Sequence, residues 1–208
     1  MEGCPCCTTE TNKYQLTTKP LLQLSAGDLE HYLFKAMTTW GEVNDFKHFL
    51  PRIFDLLASD TQTLEVFVVF DKLEYGQWKQ WSIKEQESIK LFLISWWANS
   101  TLSEQKFQGD NFLYFIRALD QVQPLLDNWS IDIEKDTFKN LIHFIFDNLQ
   151  QYKIGKDIDI TTERVTNDWL LDYLETIEKG FFYYEKLDTD FAQTISYCYD
   201  IVHRLTLT

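Results

Sequence analysis

Apolar positions along this chain recur every three to four residues over most of its length, which is the spacing of helices packed on one face. Leu29, Tyr32, Leu33, Ala36 and Met37 follow that rhythm. Ser25, with Asp28 three positions on, makes a capping-box start for the helix, and Gly41 is placed to stop it. A second helix opens near Asn44 and gathers Phe46, Phe49, Leu50, Ile53, Leu56 and Leu57, with Pro51 expected to kink or restart it. Residues 64–75 include Val66-Phe67-Val68-Val69-Phe70, a strand by composition. The run continues into Asp71-Lys72-Leu73 without turn residues, which favours a buried helix ending at Gly76. Ser82 with Glu85 opens the clearest helix, through Ile89, Phe92, Leu93 and Trp96 to about Ala98. Further helices are expected at about 111–121, 136–151, 167–179 and 188–205, with Thr166 and Asp188 as caps and a polar loop over 152–166. Residues 1–20 lack apolar periodicity and read as a tail or a draped segment.

Eight helices with mostly short connections suggest four antiparallel pairs, at about 25–59, 64–99, 111–151 and 167–205. That is the pair spacing of a HEAT-like solenoid, and Gly41, Gly76 and Gly180 each fall between the helices of a pair. No sequence repeat runs from pair to pair, so an irregular helical bundle stays open beside it. The expected organisation is a cysteine-containing tail over 1–20 and one all-α domain over 21–208.

Composition supports the class. Seven Gly and four Pro in 208 residues are less than half the average supply, which argues against a sandwich, barrel or propeller. Sixteen Phe, ten Tyr and seven Trp provide for a large core and argue against disorder. The formal charge is −13, Arg occurs four times, and no Lys/Arg cluster interrupts the acidity. Such a surface repels phosphate backbones and anionic lipids, so neither nucleic acid nor a membrane is the expected partner. A basic protein is compatible with it, although surplus acid also serves plain solubility. No apolar run approaches the roughly 18 residues of a membrane span, and no apolar core of a secretory signal stands in residues 1–20. A cytoplasmic location is expected.

Several chemistries lack their residues. The closest glycines are Gly27 and Gly41, so no phosphate-cradling loop is present, and neither G-x-S-x-G nor H-E-x-x-H occurs. Asp132, Glu134 and Asp136 alternate like calcium ligands, but Thr137 replaces the turn glycine and His143 the closing glutamate. These acids suit the positive end of the following helix.

Three constellations remain. Cys4, Cys6 and Cys7 include the C-x-x-C spacing that lets two thiolates hold one zinc ion, with no second such pair to complete a site. Incidental thiols of a tail are the simpler reading, and Cys198 stands alone. His31, His48 and His203 each follow an aspartate by three (Asp28, Asp45 and Asp200), a spacing similar to the E-x-x-H pairs of di-metal bundles and also to ordinary surface contacts. Asp45, His48 and Arg52 form a polar stripe if their helix is regular, and Trp40 at the preceding turn is placed to close over it. An acid, a titratable ring and a guanidinium suit a small ligand or a partner contact. The competing reading has Asp45 and Arg52 tie the helices together while Trp40 packs in the core. Trp78, Trp81, Trp96 and Trp97 suit sugar stacking or, more commonly, helix packing.

The same region carries a resemblance. The segments KAMTTWG (35–41), DFKHFLPR (45–52) and KLEYGQW (72–78) resemble a group of bacterial helical proteins of unassigned function, most strongly over residues 20–100. The resemblance implies an all-helical fold and brings no activity or site residue. The leading expectation is a non-enzymatic interaction protein, with an immunity- or antitoxin-like binder of a basic protein as its sharper form. A zinc-binding protein or metal-dependent enzyme is the alternative.

Overall fold

The computed structural model describes residues 1–4, 6, 8–59, 64–149 and 159–207, and these are all-helical with no β-strand. The helices are α1 (Glu10–Thr18), α2 (Ala26–Lys35), α3 (Val43–Ala58), α4 (Val66–Tyr75), α5 (Ile83–Ser100), α6 (Phe112–Leu119), α7 (Gln123–Asp127) and α8 (Asp136–Phe144). A π-helical turn over Ile145–Leu149 continues α8, and α9 (Ile160–Asp172), α10 (Leu174–Tyr184) and α11 (Thr189–Arg204) follow. None of these helices is long and apolar enough to cross a membrane. Packing divides the chain into two compact units, Met1–Phe92 and Leu93–Thr208.

In the first unit, local sequence chemistry sets the helix starts. Ser25 accepts the Asp28 amide while the Asp28 carboxylate accepts the Ser25 amide at 2.9 Å, the reciprocal cap expected at α2. Ser82 and Glu85 repeat this at α5. Pro51 lies inside α3, which continues past it to Ala58. Only one backbone donor is lost there, and Leu50, Ile53, Phe54 and Leu57 around it are buried. The valine-rich run is the helix α4, closed by Gly76.

The turn after α2 departs from expectation. The helix ends at Lys35 rather than at Gly41, and the amides of Thr38, Thr39 and Trp40 all point back to the Lys35 carbonyl. Met37 takes a left-handed φ of 62° and Gly41 one of 69°. At Gly41 a Cβ would stand 2.8 Å from the Asp45 carboxylate, so glycine serves the tight entry into α3 rather than the exit from α2. The buried Lys72 ammonium donates to the Ala36 carbonyl at 2.9 Å, capping α2 from α4, and burial lowers the pKa of its amine. The amino terminus lies along the same turn: Cys4 donates to Thr39 and Gly41 donates to Glu2. Residues 10–18 form α1, a helix that periodicity could not reveal because its faces are almost uniformly polar and Leu16 is its one buried apolar side chain.

The second unit is built on aromatic side chains. Trp97 meets Phe107, Phe112, Phe115 and Trp129 at centroid distances of 5.2–5.7 Å. Its indole N–H donates to the Leu125 carbonyl at 3.2 Å. Asp188 caps α11 as expected, by accepting the Phe191 amide. Two expected caps are corrected. Asp159, not Thr166, starts α9, whereas Thr166 lies within the helix with its hydroxyl on the Thr162 carbonyl. Gly180 is not a stop either. It lies inside α10, where the absent side chain lets the Phe138 ring of α8 pack on the backbone. The short α7 and the break at Tyr173 between α9 and α10 have no counterpart in the expected elements.

Candidate functional site

Each residue of the Trp40, Asp45, His48 and Arg52 set has its own structural task. Trp40 is buried, edge-on to Tyr32 at 5.4 Å and tilted against His31 at 5.8 Å. Its indole N–H and the Tyr32 hydroxyl have no hydrogen-bond partner among the described residues. Burial, and secondarily the Asp45 charge, raises the Tyr32 hydroxyl above its ordinary range. Asp45 accepts the Glu42 amide at 2.9 Å and so caps its own helix. Arg52 donates through Nε to the Leu24 carbonyl at 2.8 Å and pairs with Asp55. His48 is exposed beside Phe49, with ring centroids 4.9 Å apart. Arg52 thus joins α3 to Leu24 and Trp40 packs on α2, whereas the Asp45 and His48 contacts stay within α3 and its cap.

The cysteines and the Asp/His pairs carry less. Cys4 and Cys6 bring their sulfurs within 2.7 Å of each other. Cys7 lies outside the described residues. Burial pushes the Cys198 thiol up to about 12. Asp28 engages Lys19 and Ser25, and His203 stacks on Tyr199. Among the described residues no three His, Cys, Asp or Glu side chains converge to hold a metal ion.

A groove of about 620 Å³ opens between α3 and the first turns of α5. Leu50, Pro51 and Phe54 form one wall and Ile89 and Phe92 the other, with Pro51 and Phe92 the more open and Leu50, Phe54 and Ile89 buried at the base. Phe54 and Phe92 stack with centroids 4.0 Å apart and rings nearly parallel. Trp81 closes one end, its N–H tied to the Gly76 carbonyl at 2.8 Å. Lys47 sits over the Trp81 ring at 4.3 Å and pairs with Glu85 at 2.8 Å. That lysine, with Ser82, holds the Glu85 carboxyl down at about 2. Lys84 and Asp55 complete a rim whose charges balance. The groove residues on α3 span positions 47–58 and those on α5 positions 84–92. At 1.5 Å per residue the groove is about 12–16 Å long.

A second cavity, of about 450 Å³, lies where α8 passes into the π-helical turn. Glu104, Asp110 and Asp147 line it with His143 and Phe107. Lys139 donates to Glu104 at 3.1 Å, and His143 approaches the same carboxylate at 3.7 Å. Asn140, 1 % exposed, also lines the cavity. Its amide nitrogen donates to the Thr101 carbonyl at 2.9 Å, which fixes the orientation of the group because that carbonyl can only accept. The amide oxygen is left without a donor among the described residues. An orphan of this kind costs about 1–3 kcal/mol unless something supplies a proton donor.

Comparison with known protein families, curated proteins and solved structures finds no match to this chain. The groove and the acidic cavity therefore stand on their own geometry. Sequence reading identified the apolar face of α3 and singled out Trp81, but not the groove between α3 and α5. It missed the acidic cavity, whose two walls are some thirty residues apart. The one local signal was His143 and Asp147, a helical turn apart on one face.

Proposed function

We propose that this chain is a non-enzymatic interaction module that docks an amphipathic helix of a partner protein in the α3/α5 groove. The groove itself carries the reading. Its walls are apolar and aromatic, its rim charges neutralise one another, and its length matches two to three helical turns. A neutral rim disfavours a charged occupant and leaves apolar anchors at i, i+3 or i+4 and i+7 as the side chains that fit.

Charge extends the proposal to the rest of the partner. Met1–Phe92 holds nine basic and thirteen acidic residues, whereas Leu93–Thr208 holds ten and nineteen. A partner basic outside its docking helix would gain in association rate from that field. In the same proposal the helices form pairs of helical-repeat type, and the three resemblance segments lie within the groove-bearing unit.

Display selection of helical peptides against the full-length protein tests the reading. Selected peptides are expected to share the apolar spacing and to lose binding to Ser88→Arg, which fills the groove mouth from an exposed position. Selected peptides that bind Ser88→Arg as well as wild type would remove the groove from the account.

A further inference from the structure

We infer that Cys4 and Cys6 form a redox-sensitive modification site, a dithiol that exchanges with low-molecular-weight disulfides of the glutathione class and closes into a Cys4–Cys6 disulfide. Both side chains are thiols, and their sulfurs stand 2.7 Å apart. At that separation little movement is needed for one sulfur to attack a mixed disulfide formed on the other. The fold, and not only the short spacing in sequence, holds Cys4 in place. Its amide donates to the Thr39 carbonyl at 2.8 Å, and its carbonyl accepts the Thr8 amide at 3.0 Å and the Thr8 hydroxyl at 2.9 Å. Thr8 is buried, and it packs so closely on Gly3 that a Cβ there would stand 2.7 Å from the threonine side chain. Two residues before Cys4, the Glu2 carbonyl accepts the Gly41 amide at 2.7 Å. Residues 2–4 are therefore fastened along the turn between α2 and α3.

A difference in exposure divides the roles, because Cys6 is exposed and Cys4 is half-buried against that turn. Cys6, as its thiolate, attacks one sulfur of the incoming disulfide. The S–S bond of the small molecule breaks, one thiolate leaves, and Cys6 carries a mixed disulfide. Cys4 then gives its proton to solvent, attacks the Cys6 sulfur and expels the second thiolate. In sum the two cysteines lose two electrons and two protons, and the small disulfide is reduced to two thiols. With Cys4 pinned beside Cys6, the second step runs between sulfurs already positioned, so the mixed disulfide does not accumulate. Cys198 is buried and takes no part.

The experiment adds glutathione disulfide to the reduced full-length protein, traps remaining thiols with an alkylating agent at successive times, and reads the Met1–Lys13 tryptic peptide by mass spectrometry. A disulfide linking Cys4 to Cys6 is expected, with Cys7 alkylated and no lasting glutathione adduct. The Cys7→Ser variant is expected to react as wild type does. Variants that keep one thiol of the segment test the roles. Cys6 in Cys4→Ser/Cys7→Ser is expected to take up glutathione at least about tenfold faster than Cys4 in Cys6→Ser/Cys7→Ser. The contribution of the fold is read by repeating the wild-type reaction in urea, where closure of the mixed disulfide is expected to slow by about tenfold or more. A glutathione adduct that persists on the native protein, a disulfide that includes Cys7, equal uptake by the two single thiols, or closure as fast in urea would each overturn the inference.

Discussion

Replacing Gly180 by alanine reverses an ordinary expectation. In the interior of a helix such as α10, alanine in place of glycine is worth about 1 kcal/mol of added stability. Here the new Cβ would stand 2.7 Å from Phe138 Cε1 and 2.9 Å from Cε2. Phe138 is fully buried and stacked parallel to Tyr184 at 6.0 Å, so its ring has little room to retreat. Overpacking of this kind costs about 1–3 kcal/mol. The net effect of Gly180→Ala is a destabilisation of up to about 2 kcal/mol once the propensity gain is subtracted. Urea unfolding followed by circular dichroism measures it, and a double-mutant cycle with Phe138→Leu locates its cause. The smaller side chain removes the clash, so in that background alanine turns neutral or stabilising, with a coupling of about 1–3 kcal/mol. Stabilisation by Gly180→Ala in the wild type, or an equal cost in both backgrounds, would refute the reasoning.

Two further outcomes follow from the electrostatics. Lys19, with Ser25, holds the Asp28 carboxyl at about 2, below its ordinary value of 3.8. The stabilisation it gives is complete above that ordinary value and is lost as pH falls from about 4 to about 2. Wild type should therefore exceed Asp28→Asn by about 1 kcal/mol near neutrality, a figure reduced for the solvent-exposed Lys19, and the gap should close on acidification through that window. A gap independent of pH would count against the ion pair. For the thiols, Cys198 at about 12 and fully buried should resist alkylation in the native protein, while the more accessible Cys4 and Cys6 react. Peptide mass spectrometry with and without denaturant reads this directly, and native labelling of Cys198 would contradict the packing of α11.

Elements with local chemistry could be read from sequence: the Ser25/Asp28 and Ser82/Glu85 boxes, the Asp188 cap and the Gly76 stop all set helix ends where expected. Tertiary context decided the others. Gly180 has the sequence appearance of a stop because what needs its missing side chain is a ring forty-two residues earlier. Thr166 can satisfy its hydroxyl within the helix, so a possible cap about two turns from Asp159 is not a start. Asp45, His48 and Arg52 lie along α3, and their contacts are with Glu42, Phe49 and Leu24. The groove has no sequence signature, and of the acidic cavity only His143 and Asp147 could be seen together in the sequence.

The most direct test of the helix-docking account is amide chemical-shift mapping of the full-length protein with a selected amphipathic peptide, using the Trp81 indole N–H as an additional reporter. Shifts concentrated on residues 47–58 and 81–92, moving the Trp81 signal and absent from Ser88→Arg, are the predicted result. Shifts that leave α3 and Trp81 unchanged while the peptide binds elsewhere would contradict it.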